Sequence, residues 1–172
     1  FIHGVDYISD MIDAARIQKK KLLVNSGSFV SFDIANILDM HTLHKAYTKV
    51  FVSRVIINLH DWEQQIQGIQ ECGNRLCRGG LLLLSEATIQ GFEELNKMRN
   101  SFGIPVLDYP QYNSYLDMDK LITYPFKSLK FEKCIEFSST YYFGTRVLRP
   151  AVEKLFRIKK TKQVNFFNHI FK

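Results

Sequence analysis

Apolar and polar positions along the 172-residue chain alternate between short strand-like runs and helical stripes. The clearest stretch spans residues 50–86. An apolar run ends in a polar cluster at Ser53, Arg54, Asn58, His60 and Asp61. An amphipathic segment follows, with Trp62, Ile66, Ile69 and Leu76 at its apolar positions, and Gly79-Gly80 closes it. Residues 81–84 are a second apolar run, ending at Ser85 and Glu86. Strand, crossover helix and strand in this order predict a buried parallel pair. Ligands of such sheets bind at the carboxyl ends of the strands.

Upstream, FIHGVD predicts a strand ending at Asp6. The next segment places Ile8, Met11, Ile12 and Ala15 on a helical stripe, with Ser9 as N-cap. Residues 29–37 and 49–59 predict two further strands, with Asp33 a strand residue in polar surroundings. Asp61 caps the following helix and Gly79-Gly80 stops it. Residues 91–102 predict a helix ended by Gly103 and Pro105, and Asp117 caps a short helix before Pro125. Residues 129–137 predict a late strand, SSTYYFGTRVL a loop, and a last helix begins near Pro150. This alternation predicts an α/β fold with a doubly wound sheet, as one domain over 1–172.

Composition, 46% hydrophobic and 23% charged, is that of a globular protein with a core. No apolar run approaches the roughly 20 residues that span a bilayer, and no secretory signal is visible, so the expected location is cytoplasmic, without a membrane. Cys72, Cys77 and Cys134 include no close pair, so they read as thiols in a reducing compartment, with no metal site. The net charge of +6 sits in Lys19-Lys20-Lys21 and in residues 157–162. Neither block is interleaved with aromatic side chains, which favours solvated surface over a nucleic-acid partner.

Several segments, in order, carry a resemblance. GVDYISDMIDAAR resembles the segment after the second strand of class I S-adenosylmethionine-dependent methyltransferases, and NRLCRGGLLLLSEA resembles the turn and fifth strand of that family. SRVIINLHDW, SEATIQGFEELNKMRNSFGIP and FSSTYYFGTRVLRP resemble a bacterial subgroup often attributed to surface-carbohydrate clusters. The match covers most of residues 1–150. It implies a Rossmann-like doubly wound sheet and methyl transfer from S-adenosylmethionine to an oxygen or nitrogen of a small-molecule or carbohydrate acceptor.

The resemblance also implies roles. Asp6 would accept hydrogen bonds from both ribose hydroxyls; its other reading is a helix cap, and the flanking GVDYISDMI favours the ribose. Tyr7 and Met11 would lie near ribose and adenine. Asn36 falls where the family has an acid facing the adenine amino group, and an amide oxygen can accept that bond; Ile37 would pack on the ring. Ser53 and Arg54 lie where the fourth strand passes the methionine end. Arg54, a cation within an apolar strand, has an ion pair with Glu86 as its alternative. His60 and Tyr142 are the candidate general bases, although a lone His in a helix-start loop is more often a capping or surface residue. Tyr112, Asn113, Tyr115, Tyr141, Tyr142 and Arg146 form two aromatic-polar loops suited to an acceptor.

The family's glycine-rich ExGxGxG loop does not occur in the sequence, and QVNFFNHIFK does not resemble its final strand. The expectation is therefore a sheet incomplete at the N-terminal first strand and at the C-terminal edge. Either the chain is partial, or a homo-oligomeric partner rebuilds it. A second functional reading is a non-catalytic binding or scaffold protein on the same fold, without cofactor.

Overall fold

The structure is a computed structural model that describes residues 1–22, 29–43, 46–137 and 139–156. The loop at 25–28, the basic block at 157–162 and QVNFFNHIFK lie outside the described residues. The chain divides into two compact units, one of residues 1–85 with 126–129 and the other of residues 86–125 with 130–172.

In the first unit, β1 (Ile2–Asp6) leads through a tight turn into α1 (Ser9–Leu22), and β2 (Val30–Ile34) returns parallel to β1. Register pairs Gly4 with Phe32. The Phe32 ring lies across Gly4 so closely that a β-carbon there would sit 2.7 Å from it, which explains a glycine within a strand. Because the Phe29 carbonyl accepts from Ile2 N, the carbonyls of Val30 and Phe32 point to the far edge. Arg16 donates to Phe32 O at 3.0 Å, and Lys19 donates to Val30 O. Part of the basic run is thus a cover for an open strand edge.

β3 (Tyr47–Ser53) and β4 (Leu76–Ser85) form a second parallel pair, with α2 (Trp62–Asn74) between them in sequence. Asp61 caps α2 as expected, its Oδ1 accepting from Gln64 N at 2.9 Å. Val52, Ile56, Ile57, Ile66, Ile69 and Cys72 are the buried centre of this region. On the other face of the ribbon, Phe51 stands in register with Leu83, and both are exposed.

Four expectations are corrected here. The strand predicted over 49–59 ends at Ser53, and Ile56–Asn58 form a 3-10 turn. Gly79-Gly80 do not stop the helix, which closes at Arg75. Both glycines lie inside β4, where Gly79 takes a left-handed φ of 76° and the register slips from Tyr47↔Leu76 to Lys49↔Leu81. A glycine absorbs such a bulge at least cost. Ser9 is the first helical residue of α1 rather than its cap, and Asp6 instead bonds the entering turn. The sheet observed is two separate parallel pairs, β1-β2 and β3-β4.

The second unit is built on α3 (Ile89–Ser101), capped by Thr88, whose Oγ1 accepts from Gly91 N at 3.1 Å. Gly103, at φ 62°, turns the chain out of the helix. A single parallel bridge joins Thr88 to Leu116 before α4 (Met118–Thr123), which Asp117 caps. The strand expected at 129–137 has no ladder and no regular structure. The loop expected at SSTYYFGTRVL is instead helical: α5 (Ser139–Tyr142) runs through a π-helix, Phe143–Leu148, into α6 (Arg149–Leu155). Arg99, only 7% exposed, donates from Nε to Pro105 O at 2.9 Å in the loop after α3 and ties α3 to the π-helix by donating from its guanidinium to Arg146 O.

Candidate functional site

Polar side chains of the first unit gather at carboxyl ends of the parallel strands. At the end of β1, Asp6 is half-buried; Oδ1 accepts from Ile8 N at 2.8 Å, while Oδ2 has no partner among the described residues. The local turn bond is the cap reading of Asp6, and it leaves one carboxylate oxygen available. Tyr7 and Met11 follow with side chains 72% and 56% exposed. Ala35 N donates to Asp6 O at 3.0 Å, so the end of β2 runs beside this turn. Asn36, one residue on, is exposed, and its Oδ1 accepts from Leu38 N at 3.0 Å. Ile37 is half-buried beside it.

At the end of β3, Ser53 and Arg54 are both exposed. Arg54 lies just past the strand, not within it, so no burial of its cation needs explaining. Its φ of 56° is left-handed, uncommon for a residue with a side chain. Two bonds hold it: Arg54 N donates to Ser85 O at 3.0 Å, and Asn58 Nδ2 donates to Arg54 O at 2.7 Å. Strained positions of this kind, worth about 1–3 kcal/mol, cluster at ligand-binding turns. His60 is exposed, 3.5 Å from Asp61.

The first unit also holds a polar relay that the sequence did not announce. His3 Nε2 lies 2.7 Å from Asp33 Oδ2, and its Nδ1 lies 2.5 Å from the Tyr47 hydroxyl. With Asp33 ionised and His3 neutral, Nε2–H donates to Asp33 and Nδ1 accepts from Tyr47. Burial, then the Asp33 charge, push the Tyr47 phenol up, against an opposing effect of Arg75. Asp33 is thus a strand residue in polar surroundings, as expected. His3 escaped notice as a lone polar residue in an apolar run, and Tyr47 because it opens its strand far from His3 in sequence.

In the second unit, Tyr115 packs edge-on to Phe92, ring centroids 5.4 Å apart, and to Tyr109 at 6.0 Å. Asn113 is half-buried, and Tyr112 is 82% exposed. Tyr141 and Tyr142 meet edge to face at 5.8 Å, half-exposed, where α5 enters the π-helix. Arg146 is exposed, its carbonyl taken by Arg99. Tyr115 therefore joins one aromatic cluster, and Tyr141 and Tyr142 another. Tyr109, not named as a site residue in the sequence, is the third ring of the first, with Phe92 and Tyr115. Of the two candidate bases, His60 belongs to the first unit and Tyr142 to the second. Among the described residues, no group of three or more His, Cys, Asp or Glu could hold a metal ion, and no helix is long and apolar enough to cross a membrane.

Together these features define a mixed α/β protein whose parallel strand pairs present polar turns at their carboxyl ends. No family model matches the chain, and no curated protein matches it. Solved structures do. PKMT2 from Rickettsia typhi in complex with AdoHcy is 19% identical over 62% of this chain and 20% of that one, with a TM-score of 0.46. The structure of PKMT2 from Rickettsia typhi by itself gives 18%, 59%, 19% and 0.45 for the same quantities. A structure on the conversion of a disulfide bond into a thioacetal group during echinomycin biosynthesis gives 19%, 69%, 49% and 0.47. This chain thus spans less than half the length of each of these chains, and the likeness is partial.

Proposed function

We propose that this chain is part of an S-adenosylmethionine-dependent methyltransferase with a small-molecule or carbohydrate acceptor. The single observation that carries the reading is the turn after β1. GVDYISDMI, the segment that resembles the family, folds as strand, turn and helix, with Asp6 at the strand's carboxyl end and one carboxylate oxygen unengaged. The left-handed turn at Arg54, at the carboxyl end of β3, supports the same edge.

The residues fit the nucleoside half of the cofactor. Asp6 Oδ2 accepts from ribose hydroxyls, and a charged acceptor there is worth about 1.5–3 kcal/mol. Exposed Tyr7 in the turn before α1 and Met11 on its first turn cover the nucleoside, Ile37 packs on the adenine, and Asn36 keeps lone-pair capacity on Oδ1 for the amino group. Ser53 and Arg54 orient the methionine end. When bound, the cofactor supplies an electrophilic methyl group on a sulfonium. The protein's task is to hold donor and acceptor close and in line, with His60 or Tyr142 taking the acceptor's proton. Asn113, Tyr115, Tyr141, Tyr142 and Arg146 contact the acceptor.

Thermal unfolding of the full-length protein with S-adenosylhomocysteine tests the role of Asp6. The wild type gains several degrees in Tm, and Asp6→Ala loses that gain while unfolding normally without ligand. An equal gain in Asp6→Ala removes Asp6 from the site.

A further inference from the structure

A groove of about 570 Å³ runs along the second unit, with Phe92, Glu93, Asn96, Lys97 and Asn100 on one face of α3 and Tyr109 opposite them. Its size is that of a small-ligand site. Its walls are unusually well set for a surface feature. Asn96 clamps the facing loop by both backbone groups of one residue: its Nδ2 donates to Leu107 O at 2.9 Å, and its Oδ1 accepts from Leu107 N at 2.8 Å. Arg99 holds the same loop by Pro105 O, and Ile104 N donates to Arg99 O at 2.9 Å. Tyr109 is fixed by this loop and by its neighbours, its ring 4.5 Å from that of buried Phe92 and 6.0 Å from that of Tyr115. Half of the Tyr109 surface nevertheless remains open to solvent.

Around this aromatic plate stand groups of both hydrogen-bonding senses. The Glu93 carboxylate and the Asn100 side-chain amide make no hydrogen bond among the described residues, and both are exposed. Lys97, paired with Glu94 at 2.6 Å, adds a donor. Glu93 lies close enough to Tyr109 to help burial raise the phenol's pKa, so the hydroxyl is a neutral donor at physiological pH. The groove is open along its length. An apolar ligand would stay half in water there and gain little from burial, since the gain scales with apolar area removed from water. A ring with one apolar C–H face and a rim of hydroxyls gains on both counts. Its flat face lies on Tyr109, and a carboxylate and an amide take adjacent hydroxyls, whose outer sides stay hydrated.

We infer that the groove between α3 and the Tyr109 loop is a binding site for a saccharide ring, with Tyr109 as stacking plate and Glu93 and Asn100 as hydroxyl partners. The site shares its aromatic cluster with Tyr115, which the proposed function gives to the acceptor, but its geometry is argued without the cofactor and its test reads binding rather than turnover. Saturation-transfer NMR of the full-length protein with methyl β-glucoside, methyl β-galactoside and N-acetylglucosamine is the experiment. At least one of the three binds, with a Kd on the order of 1 mM as expected of a shallow, wet site. Tyr109→Ala lowers that affinity about tenfold or more and Asn100→Ala lowers it several-fold, whereas Tyr109→Phe, which keeps the ring, holds it within about threefold. Circular dichroism of each variant confirms the native fold, and Tyr109→Phe shows that loss in Tyr109→Ala comes from the plate. Absence of binding by all three sugars, or equal binding by Tyr109→Ala and wild type, overturns the inference.

Discussion

Arg99 shows how much one residue organises here. Guanidinium groups are rarely buried without a carboxylate, yet Arg99 is 7% exposed and spends its donors on the carbonyls of Pro105 and Arg146. Burial, then the neighbouring Arg146 charge, lower its pKa, though a guanidinium remains charged. Arg99→Met keeps the apolar stem and abandons both carbonyls, each costing about 1–3 kcal/mol when unpaired and buried. Urea denaturation of this variant should show a loss of roughly 2–4 kcal/mol, and Arg99→Lys, which can reach only one carbonyl, a smaller loss. Nothing in the helical pattern around Arg99 singled it out, since an arginine on an amphipathic helix reads as surface until its tertiary partners are known.

Elements with their signals written locally were legible. Asp61 before Trp62 and Asp117 before Met118 are N-caps in the structure because an Asp side chain can satisfy free amides at a helix start wherever the helix packs. Elements defined by a partner were not. Residues 129–137 alternate well, and Phe131, Ile135 and Phe137 are indeed exposed together, but a strand needs a neighbour to pair with. Gly79-Gly80 look like a helix stop and act as a strand bulge, because glycine permits both and only the register of β3 decides. The π-helix was hidden by Gly144 and Thr145, which read as a turn; Thr145 Oγ1 instead bonds back to Tyr141 O at 2.7 Å. The cap of α4 has a pH dependence. Burial pushes the Asp117 carboxyl up, but the bond from Gln90, those from the Lys120 and Asp119 amides and the Lys120 charge together hold it below its usual value. A carboxylate depressed in the folded state stabilises above its unfolded pKa and loses that contribution as pH falls through the folded one. The stability difference between wild type and Asp117→Ala, about 1 kcal/mol at pH 7 for such a cap, should therefore shrink as acid is added below about pH 4.

At the scale of the whole molecule, the three cysteines report independently on the core. Cys72 is buried in α2, and burial, then Glu71, push its thiol up to about 12; Cys77 is half-buried in β4, and Cys134 is exposed. A chromogenic disulfide reagent should titrate Cys134 at once in the native protein and Cys72 only on unfolding, since thiolate fraction and access both govern the reaction. Immediate reaction of all three thiols would contradict the buried core described here. The candidate site divides in the same way as the elements. That Asp6, Tyr7 and Met11 lie on one strand-turn-helix segment was legible, because the signals for that segment are local. Tyr115 and Tyr141 were read in the sequence as lying on two separate loops, and tertiary packing gives each its own aromatic cluster.

The central claim is that the carboxyl end of β1 holds the nucleoside of S-adenosylmethionine, and isothermal titration calorimetry of S-adenosylhomocysteine into the full-length protein tests it most directly. The account predicts one saturable site per chain, with affinity falling about tenfold or more in Asp6→Ala, the loss expected of a charged acceptor. No heat of binding at any accessible ligand concentration would contradict it and leave a scaffold without cofactor in its place.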